Sequence, residues 1–450
     1  MINNYSFPRG ASANEFTERS NFPTISYNPQ RDIARCIYQL RSEFHYLEVL
    51  AMLGDVSDAF RHVPVHEDAV HMFVFAIDSY IGINLSCRFR RCGSPLFYSL
   101  AGSAINDCMN CQCRYRSRQW TCIVFTAVCG ATTNLHGTEQ RESTRDANNA
   151  LRKVMLTVLG STAINMKKFT PWSATNKELD LLWNTVDGTV SIPLDMMDRA
   201  LAQVDSVLSA RKTSKADLAK LLGVFPHVAT WFPSTRAFYQ RAHMAMITMS
   251  PFTKHRITDV VVEDWRWFNA VLLHNERFNQ VPVSQFADLA SPTVHMYMDA
   301  SNVWLWVLEP QTRELLRLWY TADALIALKD PDTKFNNVTD LQNAVLAAFV
   351  WGSHWLSDDR RNSTHVRLHI GNTSAVSWAS RRLSHHPTAY LYNRPLSLVE
   401  LQYRITLSAE RVPGRLNTMA DAESRAWSET NICGGSTSLR RVHASMLERQ

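Results

Sequence analysis

The chain contains no run of eighteen or more apolar residues, so no membrane-spanning helix is expected. It opens on Met1-Ile2-Asn3-Asn4, without the charged and then apolar start of a secretory signal. Cysteines are few and odd in number, nine in 450 residues. Without a secretory start they are expected to be free thiols in a reducing compartment, the cytoplasm or nucleus. Cys108-Met109-Asn110-Cys111-Gln112-Cys113, with Cys122 and Cys129 beyond, raises a zinc site. No second Cys-x-x-Cys and no histidine pair follows, so incidental thiols are the plainer reading. No Asp-Asp pair occurs between residues 100 and 190.

What is present excludes a disordered chain: 46% of residues are hydrophobic and 10% aromatic. The length suggests roughly two to four domains. A net charge of +6 fits a nucleic-acid partner, diffusely, because it is spread over a long chain.

The stretch around which the sequence is organised is Gly54-Asp55-Val56-Ser57-Asp58-Ala59-Phe60-Arg61. An apolar approach through Val49, Leu50, Met52 and Leu53 predicts a strand that delivers Asp55 at its end. Two carboxylates beside a bend suit a hard divalent cation, which takes oxygen ligands. The same pair also suits the cap of a helix beginning near Ala59. Elsewhere the pattern predicts a proline-punctuated, poorly ordered lead-in over residues 1–30 and a helix over 32–47. A β-rich run follows at 72–77, then a helix after Gly93-Ser94-Pro95 and an amphipathic helix over 146–159. Residues 195–246 read as helices, one starting at Ser214 and ending at Gly223. Residues 247–290, with Trp265, Trp267 and Phe268, read as a helical tether.

These residues resemble the reverse transcriptases of retroelements, most of all the DIRS/Ngaro-like and gypsy-like kinds. The resemblance rests on the Asp55 stretch, on Gly93-Ser94-Pro95 with Phe97, and on Ala163-Ile164-Asn165-Met166-Lys167-Lys168-Phe169. It implies that Asp55 binds catalytic Mg²⁺ and that Phe60 lies under the sugar of the incoming nucleotide. It also implies that Ser94 and Pro95 grip template and primer, that Lys167 or Lys168 approaches phosphates, and that Arg236 and Arg241 touch the duplex backbone. The family's remaining palm acids would fall at Cys129 and Gly130, which cannot hold Mg²⁺ as carboxylates do.

A second acidic set follows. Strand-like runs at 294–299, 303–308 and 315–320 lead to a helix containing Asp340, a strand at 366–370 and a helix at 373–382. The chain then reaches Asn417-Thr418-Met419-Ala420-Asp421-Ala422-Glu423-Ser424-Arg425. This order resembles the ribonuclease H domain fused behind reverse transcriptases. It implies that Asp299, Asp340 and Asp421 hold Mg²⁺, while the acid expected after the fourth strand is replaced by Gly371.

The expected fold is α+β: a right-hand polymerase palm, fingers and thumb followed by an α/β ribonuclease H-like domain. The expected divisions are fingers and palm at 31–194, thumb at 195–246, tether at 247–290, nuclease-like domain at 291–427 and a basic tail at 428–450. The activity implied by descent is RNA-directed DNA polymerisation with cleavage of RNA–DNA hybrids. Its partners are an RNA template, a DNA primer, RNA–DNA hybrid and dNTPs. With acids missing at Cys129, Gly130 and Gly371, catalysis is expected to be impaired; the alternative is a non-catalytic nucleic-acid-binding remnant. Integrase, protease and recombinase signatures are absent, as in a fragment of a larger element.

Overall fold

A computed structural model describes residues 4–7, 10–22, 29–116, 121–125, 131–138, 141–277, 279–288, 290–300, 304–320, 335–356, 363–384, 386–413 and 440–441. The chain is a mixture of helix and sheet. It divides into two compact units, Met1–Ser191 with Pro282–Leu289, and Ile192–Val281 with Ala290–Gln450. No helix among the described residues is long and apolar enough to cross a membrane.

The first unit is built on a three-stranded antiparallel sheet. Strand β1 (Glu48–Asp55) pairs with β5 (Ala131–Thr138), and β5 pairs with β4 (Thr121–Phe125). Helices α1 (Pro29–Glu43), α2 (Ser94–Arg116) and α3 (Arg141–Leu159) complete it. In α3 the residues Leu151, Val154, Met155 and Val158 recur at three and four. They pack with Tyr98, Ile105 and Met109 of α2, with Met52 of the first strand and with Val56 just after it, forming one core.

Pro95 is the second residue of α2, where its missing N–H costs nothing. The β-rich run at 72–77 divides. Its first two residues close a 3-10 helix, Glu67–Phe73, and only the rest form β2 (Val74–Ile77), paired with β3 (Tyr80–Ile83).

Part of the proline-punctuated start packs against this unit. The Tyr5 ring meets Phe73 edge-on at 6.0 Å, and Asn14 donates to the Arg90 carbonyl at 2.8 Å. Cys87, Cys92 and Cys108 are free thiols, but Cys36 on α1 is disulfide-bonded, which corrects the all-thiol expectation. Helix α1 packs against β4 and β5, a neighbourhood that the sequence spacing did not reveal.

An antiparallel meander, β6 (Thr175–Glu178), β7 (Leu181–Asn184) and β8 (Thr189–Ser191), follows. The short helix Val283–Phe286, contributed from far along the chain, packs on α1 and sets Phe286 edge-on to Trp183 at 5.9 Å.

The second unit begins with α4 (Leu194–Ala210), α5 (Lys215–Trp231), α6 (Arg236–Thr248) and α7 (Asp259–Leu273), with β9 (Lys212–Ser214) paired to β10 (Lys254–Arg256). Ser214 caps α5 as expected, accepting from the Asp217 N–H. The helix does not stop at Gly223. It continues through Pro226 to Trp231, because Phe225, Val228 and Ala229 bury against their neighbours and override the local signal.

The mixed sheet that follows contains β11 (Val294–Ala300), β12 (Trp304–Glu309), β13 (Glu314–Trp319), β14 (Thr364–Ile370) and β15 (Ile405–Arg411). Its order is β15-β14-β11-β12-β13, with the two-residue strand Arg440–Arg441 at the far edge. The pairings of β14 with β11 and with β15 are parallel, whereas β11, β12 and β13 form an antiparallel series. Helices α8 (Phe335–Trp351), α9 (Thr373–Arg381) and α10 (Pro387–Tyr403) belong to the same unit. Val294, Met296, Met298, Val366, Leu368 and Ile370 face a core shared with Leu341, Ala344 and Ala348 of α8.

Candidate functional site

In the first unit, β1 ends on Asp55, which is buried. The register pairs Asp55 with Ala131 and Gly54 with Thr132, while Thr132 also faces Phe125. Cys129 and Gly130 lie outside the described residues; Phe125 and Ala131, the described residues flanking that connection, are both at the Asp55 end of the sheet.

On its other edge β1 meets the segment that carries the lysine pair. Thr170 N–H donates to the Leu53 carbonyl, Asn165 N–H to the Asp55 carbonyl, and Ser57 N–H to the Ala163 carbonyl, at 2.7–3.0 Å. This segment brings Asn165 Nδ2 within 2.9 Å and Lys168 Nζ within 3.3 Å of the same Asp55 oxygen, Oδ2. The lysine at the carboxylate is therefore Lys168; Lys167 is exposed beside it.

Asp58 does not act as a helix cap. It sits in the left-handed region at φ 54°, its side chain accepts no capping bond from the backbone of the 3-10 helix Ala59–His62, and it pairs with the Arg61 side chain of that helix at 3.3 Å. Phe60 is 3% exposed, with its ring edge-on to Phe89 at 4.8 Å and to Tyr98 at 5.6 Å, so in this structure it is a core residue. Ser94 is buried at the start of α2, beside the Cys87 thiol.

Arg236 begins α6 and is half-buried, with Tyr239 in its field. Arg241, expected at a duplex backbone, turns inward instead. Its guanidinium lies 3.8 Å from the buried Asp264 carboxylate and 4.6 Å from the centre of the Tyr390 ring. Burial raises Asp264 above the ordinary carboxylate range despite this partner.

Two members of the second acidic set, Asp299 and Asp340, come together in the second unit. Asp299 lies near the end of β11 and Asp340 on α8. The parallel ladder of β11 with β14 ends at Met298 facing Ile370, so the next residues along the chain are Asp299, still in β11, and Gly371, just after β14. Asp340 is buried, and its carboxyl is pushed up to about 8, first by burial and then by the charge of Asp299. The backbone N–H of Asn372 donates to it and offsets part of that rise. Asn343, three residues along α8, donates from Nδ2 to the Asp299 carbonyl at 2.7 Å.

At Gly371 a Cβ would meet nothing within 4 Å, so the backbone there leaves room for a side chain. Asp421 lies outside the described residues.

The two sites differ in how they suit a divalent cation. Two carboxylates from different elements, one raised by the charge of the other, form a donor set that Mg²⁺ suits. Among the described residues the set at Asp55 is one carboxylate with an ammonium and an amide on its Oδ2, which does not suit a pair of metal ions. No group of three or more metal-ligating side chains occurs among the described residues. Asn165 and Asn343 are the contributors that sequence reasoning missed.

No protein-family model matches the chain, and no curated protein matches it significantly. Solved structures similar to it include the foamy viral protease–reverse transcriptase dRH in complex with double-stranded DNA, at 12% identity and a TM-score of 0.45, covering 91% of this chain and 62% of that one. Another is the foamy viral protease–reverse transcriptase in complex with RNA/DNA hybrid, at 13% identity and a TM-score of 0.42, covering 87% and 47%. A third, with dsDNA, has 13% identity and a TM-score of 0.38, covering 80% and 67%. The chain thus spans about half to two-thirds of the length of these proteins.

Proposed function

We propose that this chain is a nucleic-acid-binding protein of reverse transcriptase and ribonuclease H descent, impaired in both activities. The observation that carries the reading is the meeting of Asp299 and Asp340 where β14 ends at the open position of Gly371. Acids separated in sequence and gathered at a sheet end beside a vacant side-chain position fit a nuclease centre that lacks one ligand. The strand-end Asp55, paired in register with Ala131, supports the same descent for the first unit.

In this proposal the first unit holds fingers and palm, and the helices from Leu194 to Thr248 form the thumb. The mixed sheet is the nuclease-like part. The partners are RNA template, DNA primer, RNA–DNA hybrid and dNTPs. Phe60 backs the nucleotide position from the core, and Ser94, Pro95, Lys167 and Arg236 belong to the template–primer side. Asp299 and Asp340 would hold Mg²⁺, with Asp421 as the third expected ligand. Bound there, Mg²⁺ activates water and stabilises the leaving oxygen of a phosphodiester.

The missing carboxylate at 371 favours a chain that binds hybrid without cutting it. Losing a metal ligand removes orders of magnitude in rate, each tenfold being about 1.4 kcal/mol of barrier.

Hybrid cleavage and hybrid binding, measured on the chain and on Gly371→Asp, test the reading. The chain itself is expected to bind hybrid and leave it nearly intact, while the variant cleaves at least about tenfold faster. Primer extension by Cys129→Asp with Gly130→Asp tests the first unit in the same way. Background cleavage by a Gly371→Asp chain that still binds hybrid would defeat the assignment of residue 371. A chain that binds no nucleic acid would defeat the function.

A further inference from the structure

The segment bonded along the outer edge of β1 does more than close the sheet. It fixes Asn165 and Lys168 three residues apart, both aimed at Oδ2 of Asp55, whose side chain is only 9% exposed. A carboxylate oxygen has two lone pairs in its plane, and here an amide N–H and an ammonium take them. Asp58, the only other acid in the Asp55 stretch, is engaged with Arg61. Residues 129 and 130 are cysteine and glycine. A second cation belongs to the same segment, since Arg152 lies 4.3 Å over the Phe169 ring, and Lys167 is exposed beside Lys168. Among the described residues, the groups set on the Asp55 carboxylate are thus an ammonium and an amide donor, the reverse of what a divalent cation requires.

We infer that Lys168 takes the place of a divalent cation at Asp55 and presents its charge to a backbone phosphate of bound nucleic acid, so that binding at this unit needs no metal. The lysine can serve both partners. Its ammonium has three N–H donors, and its side chain remains 65% exposed while one donor faces Asp55. The inference rests on the nucleic-acid reading above for its ligand, but not for its exclusion of metal.

The test uses the full chain and two readouts. In the first, affinity for a recessed primer–template duplex is measured by fluorescence anisotropy with Mg²⁺ and with chelator, over a series of salt concentrations. Chelation is expected to leave the affinity within about twofold, and Lys168→Ala to lower the slope of log affinity against log salt by about one in magnitude. Lys168→Arg should keep the slope.

In the second readout, Mn²⁺ is titrated by electron paramagnetic resonance into Asp299→Asn with Asp340→Asn, which disables the sheet-end pair. No stoichiometric Mn²⁺ is expected. Cys129→Asp with Gly130→Asp should introduce Mn²⁺ binding that tightens at least tenfold when Lys168→Ala is added.

Stoichiometric Mn²⁺ on the double asparagine variant, abolished by Asp55→Asn, would overturn the inference. So would an unchanged salt slope in Lys168→Ala, or a tenfold loss of duplex affinity on chelation. If no variant binds nucleic acid, the proposed function and the phosphate contact both fail, while the Mn²⁺ titration still decides whether lysine excludes metal.

Discussion

Asp340 is buried beside Asp299, and both effects favour its protonated form. The folded chain holds that proton up to about pH 8, whereas a carboxyl at its ordinary 3.8 releases it far earlier. Between those values the native state binds more protons than the unfolded one, so stability falls as pH rises. Glu178 in β6, raised to about 8 by burial, acts in the same direction over the same window. Asp340→Asn keeps an acceptor for the Asn372 N–H and removes the titration. It is expected to match the parent chain near pH 4 and exceed it near pH 8 by about 2–4 kcal/mol, from ~1.4 kcal/mol per pKa unit with allowance for relaxation. Urea unfolding at the two pH values checks this, and parallel profiles would contradict it. At this scale the sequence singled out the acids but not what holds them. Asn165 and Asn343 reach their aspartates across 110 and 44 residues, and no local spacing encodes such contacts.

Elements with strong periodicity were legible, and the ones that were missed have local causes. The runs at 294–299 and 366–370 and the helix at 146–159 match β11, β14 and α3 within a few residues, because burial on one face imposes the pattern. Helix α10 escaped notice because Pro395 stands inside it. It forms regardless, since its Leu396 and Val399 join the sheet core while Glu400 binds the buried Arg382 at 2.9 Å. The short helix Val283–Phe286 was also invisible, being too brief for any period. Its worth is in packing: Phe286 is buried and meets Trp183, which is 1% exposed. Phe286→Ala should cost about 3 kcal/mol or more through the cavity it leaves. Equilibrium denaturation followed by tryptophan fluorescence measures this, and a loss below about 1 kcal/mol would show that the helix is dispensable.

For the whole molecule, composition already indicated a chain with real cores, and the element order suggested a polymerase-like part before a nuclease-like one. The division into units is less simple than that linear order. The segment 247–290, which reads as a tether, contains α7, whose Trp265 and Phe268 are fully buried. Its Asp264 accepts from the Tyr390 hydroxyl on α10 at 2.8 Å and faces Arg394 at 2.9 Å. Buried polar bonds between elements this far apart in sequence leave no periodic trace.

The chain crosses between its two units at residues 191, 281 and 289, and so Pro282–Leu289 is made about ninety residues after the rest of the first unit. Synthesis at roughly 5–20 residues per second leaves Trp183 without Phe286 for several seconds on the ribosome. A nascent chain arrested midway between residues 191 and 282, with the β6–β8 meander clear of the ribosome and Phe286 not yet made, should therefore be cut readily by protease around that meander, and one arrested well past residue 289 should resist. Equal resistance would mean that the early part of the chain matures without its late-arriving cover.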